Sequence, residues 1–295
     1  MQNRYTGDIG DFAKYGLLRA LTAGERLGVA WYLYPDESHN DDGKHTSYLH
    51  SPAKWRHRDP LLFDYLNMIT HSGRRSVSRI EDSDILGKAI FSSVPLDFSR
   101  QQGPPAEQRR QWFSDVLDDL DGCEIVFADP DNGLCADTGY AAGSKQAWKR
   151  MPLSEANELC RGRTGILYHH NTRRAGGHAL EIQHWLAELG DDAIALYWRK
   201  FSPRTFFLVN PSENILRRAE TLVRRWTPHF ELVERDQGVT KPASYQPAGE
   251  SAQNLPEQAR KACPECGHQF TGAGWVGIDA HWKAKHDHIM DYSKA

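Results

Sequence analysis

Cys263, Cys266, His281 and His286 fall in the order C-x2-C-x14-H-x4-H. Two thiolates in a tight knuckle and two imidazoles about one helical turn apart can close a tetrahedral shell around Zn²⁺. His268 or His288 could replace one of the imidazoles, and Phe270 and Ile278 supply apolar packing. A segment this small needs such a metal to fold, so a structural zinc is expected. Lys283 and Lys285 share the histidine-bearing segment and could meet a nucleic-acid backbone. A second chemistry lies upstream. The apolar run 124–128 ends in Asp129-Pro130-Asp131-Asn132. In an open α/β sheet, ligands bind beyond the carboxyl ends of the strands. Proline stiffens the exit turn, so Asp129 and the Pro130 carbonyl can be aimed at a substrate. Asp36 and Glu37 follow another apolar run, 29–34, in the same way. With Asp8, Asp11 and Asp131 they make many carboxylates for the loops of one sheet. Such a set could bind Mg²⁺ or Mn²⁺ and support phosphodiester hydrolysis, with Lys14 or His169 assisting. Tyr168-His169-His170-Asn171 also ends a strand pattern, and one histidine of the pair could be a base or a metal ligand.

These groups need elements to hold them. Helices are expected over 12–27, 61–69, 112–120, 154–160, 182–189 and 215–226, where apolar residues recur at helical spacing. Asp8 or Asp11 can cap the first. Strands are expected over 29–34, 75–80, 89–94, 124–128 and 165–169, and at 193–198 with 205–209 as a hairpin around Ser202-Pro203. The stretch 36–58 reads as a long polar loop, a place where function often sits. Alternating strands and helices give an α/β sheet covered by helices, with an antiparallel member near its end. After 234 the apolar period stops. Residues 235–260 are rich in Gln, Pro, Gly, Ser and Ala and read as a linker. The expected organisation is an α/β domain over 1–234, that linker, and a small metal-binding module over 261–295.

The chain has 295 residues, 39% of them hydrophobic, and a formal net charge of -3. No window approaches the ~20 apolar residues of a membrane helix. The first residues lack the apolar core of a secretory signal, so a cytoplasmic protein without a membrane partner is expected. Five cysteines in this length do not make a disulfide scaffold. The charge is uneven: residues 145–225 hold fourteen Lys and Arg against eight Asp and Glu. Arg161, Arg163, Arg173 and Arg174 bracket the strand at 165–169, and a nucleic acid, RNA or DNA, is the partner such a cluster suggests.

The Cys/His segment resembles a C2H2-type zinc finger, with x14 in place of the usual x12 and residues 272–277 enlarging the hairpin. The main domain is similar to the Rossmann-like S-adenosylmethionine-dependent methyltransferases. More narrowly, it resembles the bacterial family that methylates the exocyclic N6 of an adenine in 23S rRNA. Asn3-Arg4-Tyr5 and Gly7-Asp8-Ile9-Gly10-Asp11-Phe12-Ala13-Lys14 match that family's opening. Trp31-Tyr32-Leu33-Tyr34-Pro35-Asp36 matches its strand ending in an acidic loop. Asp129-Pro130-Asp131-Asn132 stands at its catalytic Asp-Pro-Pro-Tyr. Tyr168 and His169 lie in a later matching strand, and Phe206 to Pro211 in the closing one. The likeness covers roughly residues 3 to 230.

The resemblance implies methyl transfer from S-adenosylmethionine to a base amine. Asp129 and Pro130 would orient the amine, Lys14 would line the cofactor site, and Asp36 would hold the cofactor, with Asp8, Asp11 and Glu37 beside it. Asp131 and Asn132 replace the family's second proline and its base-stacking aromatic, a job Tyr140 or Trp148 could take. Two other readings share the fold: a divalent-metal nuclease, and an inactive methyltransferase-like module that binds nucleic acid or a partner.

Overall fold

The computed structural model describes residues 1–37, 43, 45–96 and 103–236. The zinc ligands Cys263, Cys266, His281 and His286, with Lys283, Lys285 and nearly all of the expected linker, lie outside the described residues. In chain order the strands are β1 Leu27–Ala30, β2 Ile90–Ser92, β3 Ile125–Ala128, β4 Leu134–Cys135, β5 Met151–Pro152, β6 Thr164–His170, β7 Ile194–Trp198, β8 Arg204–Val209 and β9 Phe230–Val233. The helices are α1 Ile9–Leu21, α2 Pro52–Trp55, α3 Pro60–His71, α4 Val77–Glu81, α5 Pro105–Asp119, α6 Lys145–Trp148, α7 Leu153–Leu159, α8 Gly177–Leu189 and α9 Glu213–Trp226. Among the described residues no helix is long and apolar enough to cross a membrane.

Seven strands form one mixed sheet in the order β2-β1-β3-β6-β8-β7-β9. The first four are parallel, and β8, β7 and β9 join by antiparallel pairings. This is the expected α/β sheet with helices on both faces, consistent with a Rossmann-like fold. Strand alternation divides its core in two. Leu27, Val29, Ile125, Phe127, Ile166, Phe206 and Leu208 face a layer with α1, α3 and α9. Ala30, Val126, Ala128, Leu167, Phe207 and Val209 face α5, α7 and α8. The helix α9 shows why its spacing was readable: Ile215, Ala219, Leu222 and Trp226 are buried, and Ser212 caps its start.

Four expectations need correcting, one of them the loop read over 36–58, where Pro at the first helical position starts the short α2 at Pro52–Trp55. The ladder of β1 ends at Ala30, not 34, because Tyr32 takes a positive φ of 49° that no strand accommodates. The stretch at 75–80 is helical, not extended: Val77 and Ile80, three apart, are both buried on one face of α4. The first helix stops at Leu21, and the turn after it uses Gly24 at a φ of 84°. The hairpin of β7 and β8 pairs Ile194 with Leu208, as its spacing implied. The short β9, which pairs with β7, was not anticipated.

Candidate functional site

Alternation decides which side chains reach the site. Ile125 and Phe127 of β3 face α1, and the next residue on that side is Asp129. Lys14 of α1 comes down onto it, with Nζ 2.7 Å from Asp129 Oδ2. The same Nζ is 2.7 Å from Asp11 Oδ1, one turn back along the helix. Lys14 and Asp129 are each about one-twentieth exposed at the side chain. Burial alone would pull the Lys14 ammonium down, but Asp11 and Asp129 outweigh it and raise its pKa. Burial pushes Asp11 up to about 6, Lys14 opposes that, and Asp8 and Asp129 add to it. Asp8 caps α1 by accepting from the Asp11 amide at 2.8 Å, and Asp11 Oδ2 reaches back to the Gly7 amide at 3.2 Å.

The strand β6 repeats the rule. Tyr168 and His170 face the α1 side, with the Tyr168 hydroxyl 3.3 Å from His170 Nδ1. His170 pairs across the ladder with Arg204 of β8. The Arg204 guanidinium lies against Gly10, where a Cβ would stand 1.6 Å from Nη1, so glycine makes the room. A cavity of about 210 Å³ opens at this end of β3 and β6, lined by Asp8, Asp11, Lys14, Asp129, Asp131, Asn132, Tyr168, His170 and Arg204 among others. Among the described residues, four carboxylates against Lys14, Arg204 and the Met1 ammonium leave that lining formally at -1 with its histidines neutral.

Not every predicted residue is there. Asp36 is exposed and accepts from the Arg4 amide at 3.2 Å. Glu37 is paired with Lys149 and accepts from Gln2 Nε2 at 3.2 Å. Gln2 Nε2 also reaches Asp131 Oδ2 at 2.7 Å. The Pro130 carbonyl is taken up by the Gly133 amide at 3.1 Å, closing the turn, and the Asn132 amide donates to the Lys149 carbonyl at 2.7 Å. Neither Asp36, Glu37, Tyr140 nor Trp148 is among the cavity's lining residues. Arg161 and Arg163 precede β6 while Arg173 and Arg174 follow it. Seven residues of strand put the two pairs about 20 Å apart at opposite ends. Arg163 is tied to the carbonyls of Leu159 and Leu120 at 2.8 and 2.6 Å. Arg161 pairs with Glu158 at the surface, and Arg173 and Arg174 are exposed.

His169 takes the opposite face. Its Nδ1 accepts from the Leu134 amide at 3.0 Å, and its Nε2 lies 3.2 Å from Glu181 Oε1. A ring nitrogen that accepts from an amide carries no proton, and burial lowers the pKa of this ring. Gly133 permits the contact, since it holds a φ of 80° and a Cβ there would stand 2.5 Å from Nδ1. Sequence reasoning missed Arg204, and it named the histidine pair without choosing His170 over His169. Period-two alternation from Tyr168 would have found His170, whereas Arg204 carries no local signature.

Burial would raise the Glu181 pKa, but hydrogen bonds from His169 and from the Thr172 hydroxyl and amide outweigh it and hold it down at about 2. A depressed carboxylate stabilises the fold above its ordinary pKa, and that contribution is lost as pH falls through the folded value. Glu181→Gln is therefore expected to be less stable than the parent at neutral pH. The gap in urea midpoint should close as pH drops from 4.5 toward 2. A gap that stays constant across that window would contradict the assignment.

No protein-family model matches the chain, and no curated protein matches its sequence.

Proposed function

We propose that this chain is a nucleic-acid-modifying enzyme that holds a base amine in the strand-end cavity. The observation that carries the reading is the cavity's charge and size. A lining at -1 with four carboxylates attracts a hydrogen-bond donor such as an amine and repels a phosphate, and about 210 Å³ admits one small group. Lys14 engages one of the two carboxylate oxygens of Asp129, Oδ2. The carboxylate then serves as an acceptor with a fixed orientation, the kind of group that positions a reacting amine. Asp131 is a second acceptor in the lining, and His170 is placed to receive a proton.

The resemblance implies S-adenosylmethionine, but the cavity as described does not fit it. Its volume falls below the roughly 300–1,000 Å³ of pockets for drug-sized ligands. Asp36 and Glu37 stand outside it, and the nearby Gly10 and Gly133 are packed by Arg204 and His169 and leave no open cradle. A divalent metal fits no better. The Lys14 ammonium sits between Asp11 and Asp129, and among the described residues no three His, Cys, Asp or Glu side chains are grouped to hold an ion.

The test must read several chemistries. RNA and DNA are incubated with S-adenosylmethionine, with Mg²⁺ or Mn²⁺, and with neither, and scored for methylated, deaminated and cleaved product. Product is expected from the parent chain in at least one arm, and Asp129→Asn should slow it about 10²-fold. Parent protein inert in every arm, or a variant as fast as the parent, would overturn the reading.

A further inference from the structure

A groove of about 600 Å³ runs between α1, α3 and α9, on residues distinct from those of the cavity. Its lining includes Arg19, Arg58, Arg217, Arg218 and Arg225 against one carboxylate, Asp59. Asp59 is already spoken for: it pairs with Arg19 at 2.7 Å and caps α3 through the Leu62 amide. Arg218 is held by the Leu21 and Ala23 carbonyls at 2.7 and 2.8 Å. Among the described residues, Arg217 pairs with Glu213 at 3.7 Å, and both ends of that pair are exposed. Exposed pairs of this kind hold their charges weakly.

Arg58 is the telling residue. It is 6% exposed, and its Nε is buried without a hydrogen-bond partner. Its other contacts are His57 Nε2 at 3.2 Å, the Thr227 carbonyl at 3.4 Å and the Trp55 ring at 5.4 Å. Among the described residues, none of its partners is a carboxylate. A buried guanidinium without an anion is costly, and native proteins seldom leave one so. The neighbouring His229 reports the same excess: burial first, then the charges of Arg58, Lys200 and Lys54, push it down to about 4. The N-terminus of α3, at Pro60 and Leu61, opens on the groove and adds the positive end of a helix.

We propose that this groove binds phosphate, with Arg58, Arg217 and Arg225 as its anion-holding residues. Forked guanidinium groups match phosphate oxygens two at a time. The phosphate can belong to a nucleic-acid backbone or to a free phosphate compound, and the groove rests on none of the cavity's chemistry. Its failure and the cavity's are therefore separable.

The experiment measures binding of the full chain to a short labelled single-stranded RNA and to inorganic pyrophosphate. Arg217→Gln with Arg225→Gln is the test variant, because both side chains are exposed and folding is left alone. Arg74→Gln with Arg110→Gln, also exposed, removes the same charge elsewhere. The groove variant should weaken binding about tenfold. The salt dependence for RNA should flatten by about 1.4 in slope, two contacts at roughly 0.7 each. Loss for both ligands supports the site for phosphate from either source. Loss for RNA alone assigns it to a phosphodiester chain, and loss for pyrophosphate alone to free phosphate. Failure of the parent to bind either ligand overturns the proposal, as does an equal loss in the charge-matched control.

Discussion

Lys14→Met is expected to destabilise the fold by about 3–5 kcal/mol, the cost of breaking a buried ion pair from one side. Methionine keeps most of the side chain's bulk, so the loss is electrostatic. It leaves the carboxylates of Asp11 and Asp129, both formerly 2.7 Å from Nζ, buried without a cation. With its cation gone, the folded pKa of Asp11 rises further above the unfolded value, so it takes up a proton more readily. A carboxylate whose pKa is raised by folding stabilises at low pH and loses that contribution as pH rises through the folded value. In the parent this already holds for Asp11, raised from 3.8 to about 6. The variant should therefore regain part of its loss on acidification, in urea denaturation followed across that window. Adding Asp129→Asn to Lys14→Met removes one of the two stranded charges and should recover part of the stability, a coupling read from a double-mutant cycle. A loss below about 1 kcal/mol that does not change with pH would place the ion pair in high dielectric and remove its claim to orient Asp129.

The position of Asp129 was legible because two signals coincide there: an apolar run long enough for a buried strand, and an Asp-Pro stop. Asp11 and Lys14 were legible as members of one helix, but not as partners of each other and of residue 129. That pairing depends on which sheet face α1 covers, and no local pattern reports it. The histidine pair shows the same limit on a smaller scale. Adjacent strand residues point to opposite faces, so only one of His169 and His170 can share a cavity with Tyr168. Choosing between them requires knowing which face carries the site. Arg204 was hidden for another reason. It enters from an antiparallel strand whose neighbour in the sheet, β6, precedes it by more than thirty residues. The early end of β1 was unreadable because Tyr32 is a good strand residue held at a φ of 49° by its surroundings.

Those surroundings carry the other large effect. Arg109 of α5 grips Glu155 of α7 with Nε and Nη2, each 2.7 Å from a separate carboxylate oxygen. The Tyr32 hydroxyl donates to the same carboxylate at 3.0 Å, and Arg109 lies over the Tyr32 and Trp112 rings at 5.2 and 4.7 Å. One buried pair thus ties two helices to the residue where the chain leaves β1. Arg109→Met should cost about 3–5 kcal/mol, because it breaks a buried ion pair from one side and leaves Glu155 without its cation. Arg109→Lys should recover little of this, since an ammonium cannot reproduce the fork. The decisive comparison is Arg109→Met with Glu155→Met. Replacing both charges by apolar groups of similar volume is often neutral or better, so the double variant should be more stable than Arg109→Met alone. Urea denaturation of the parent, Arg109→Met, Glu155→Met and the double variant reads the order directly. If the double variant falls by the sum of its parts, the pair is not coupled, and the positive φ of Tyr32 needs another support.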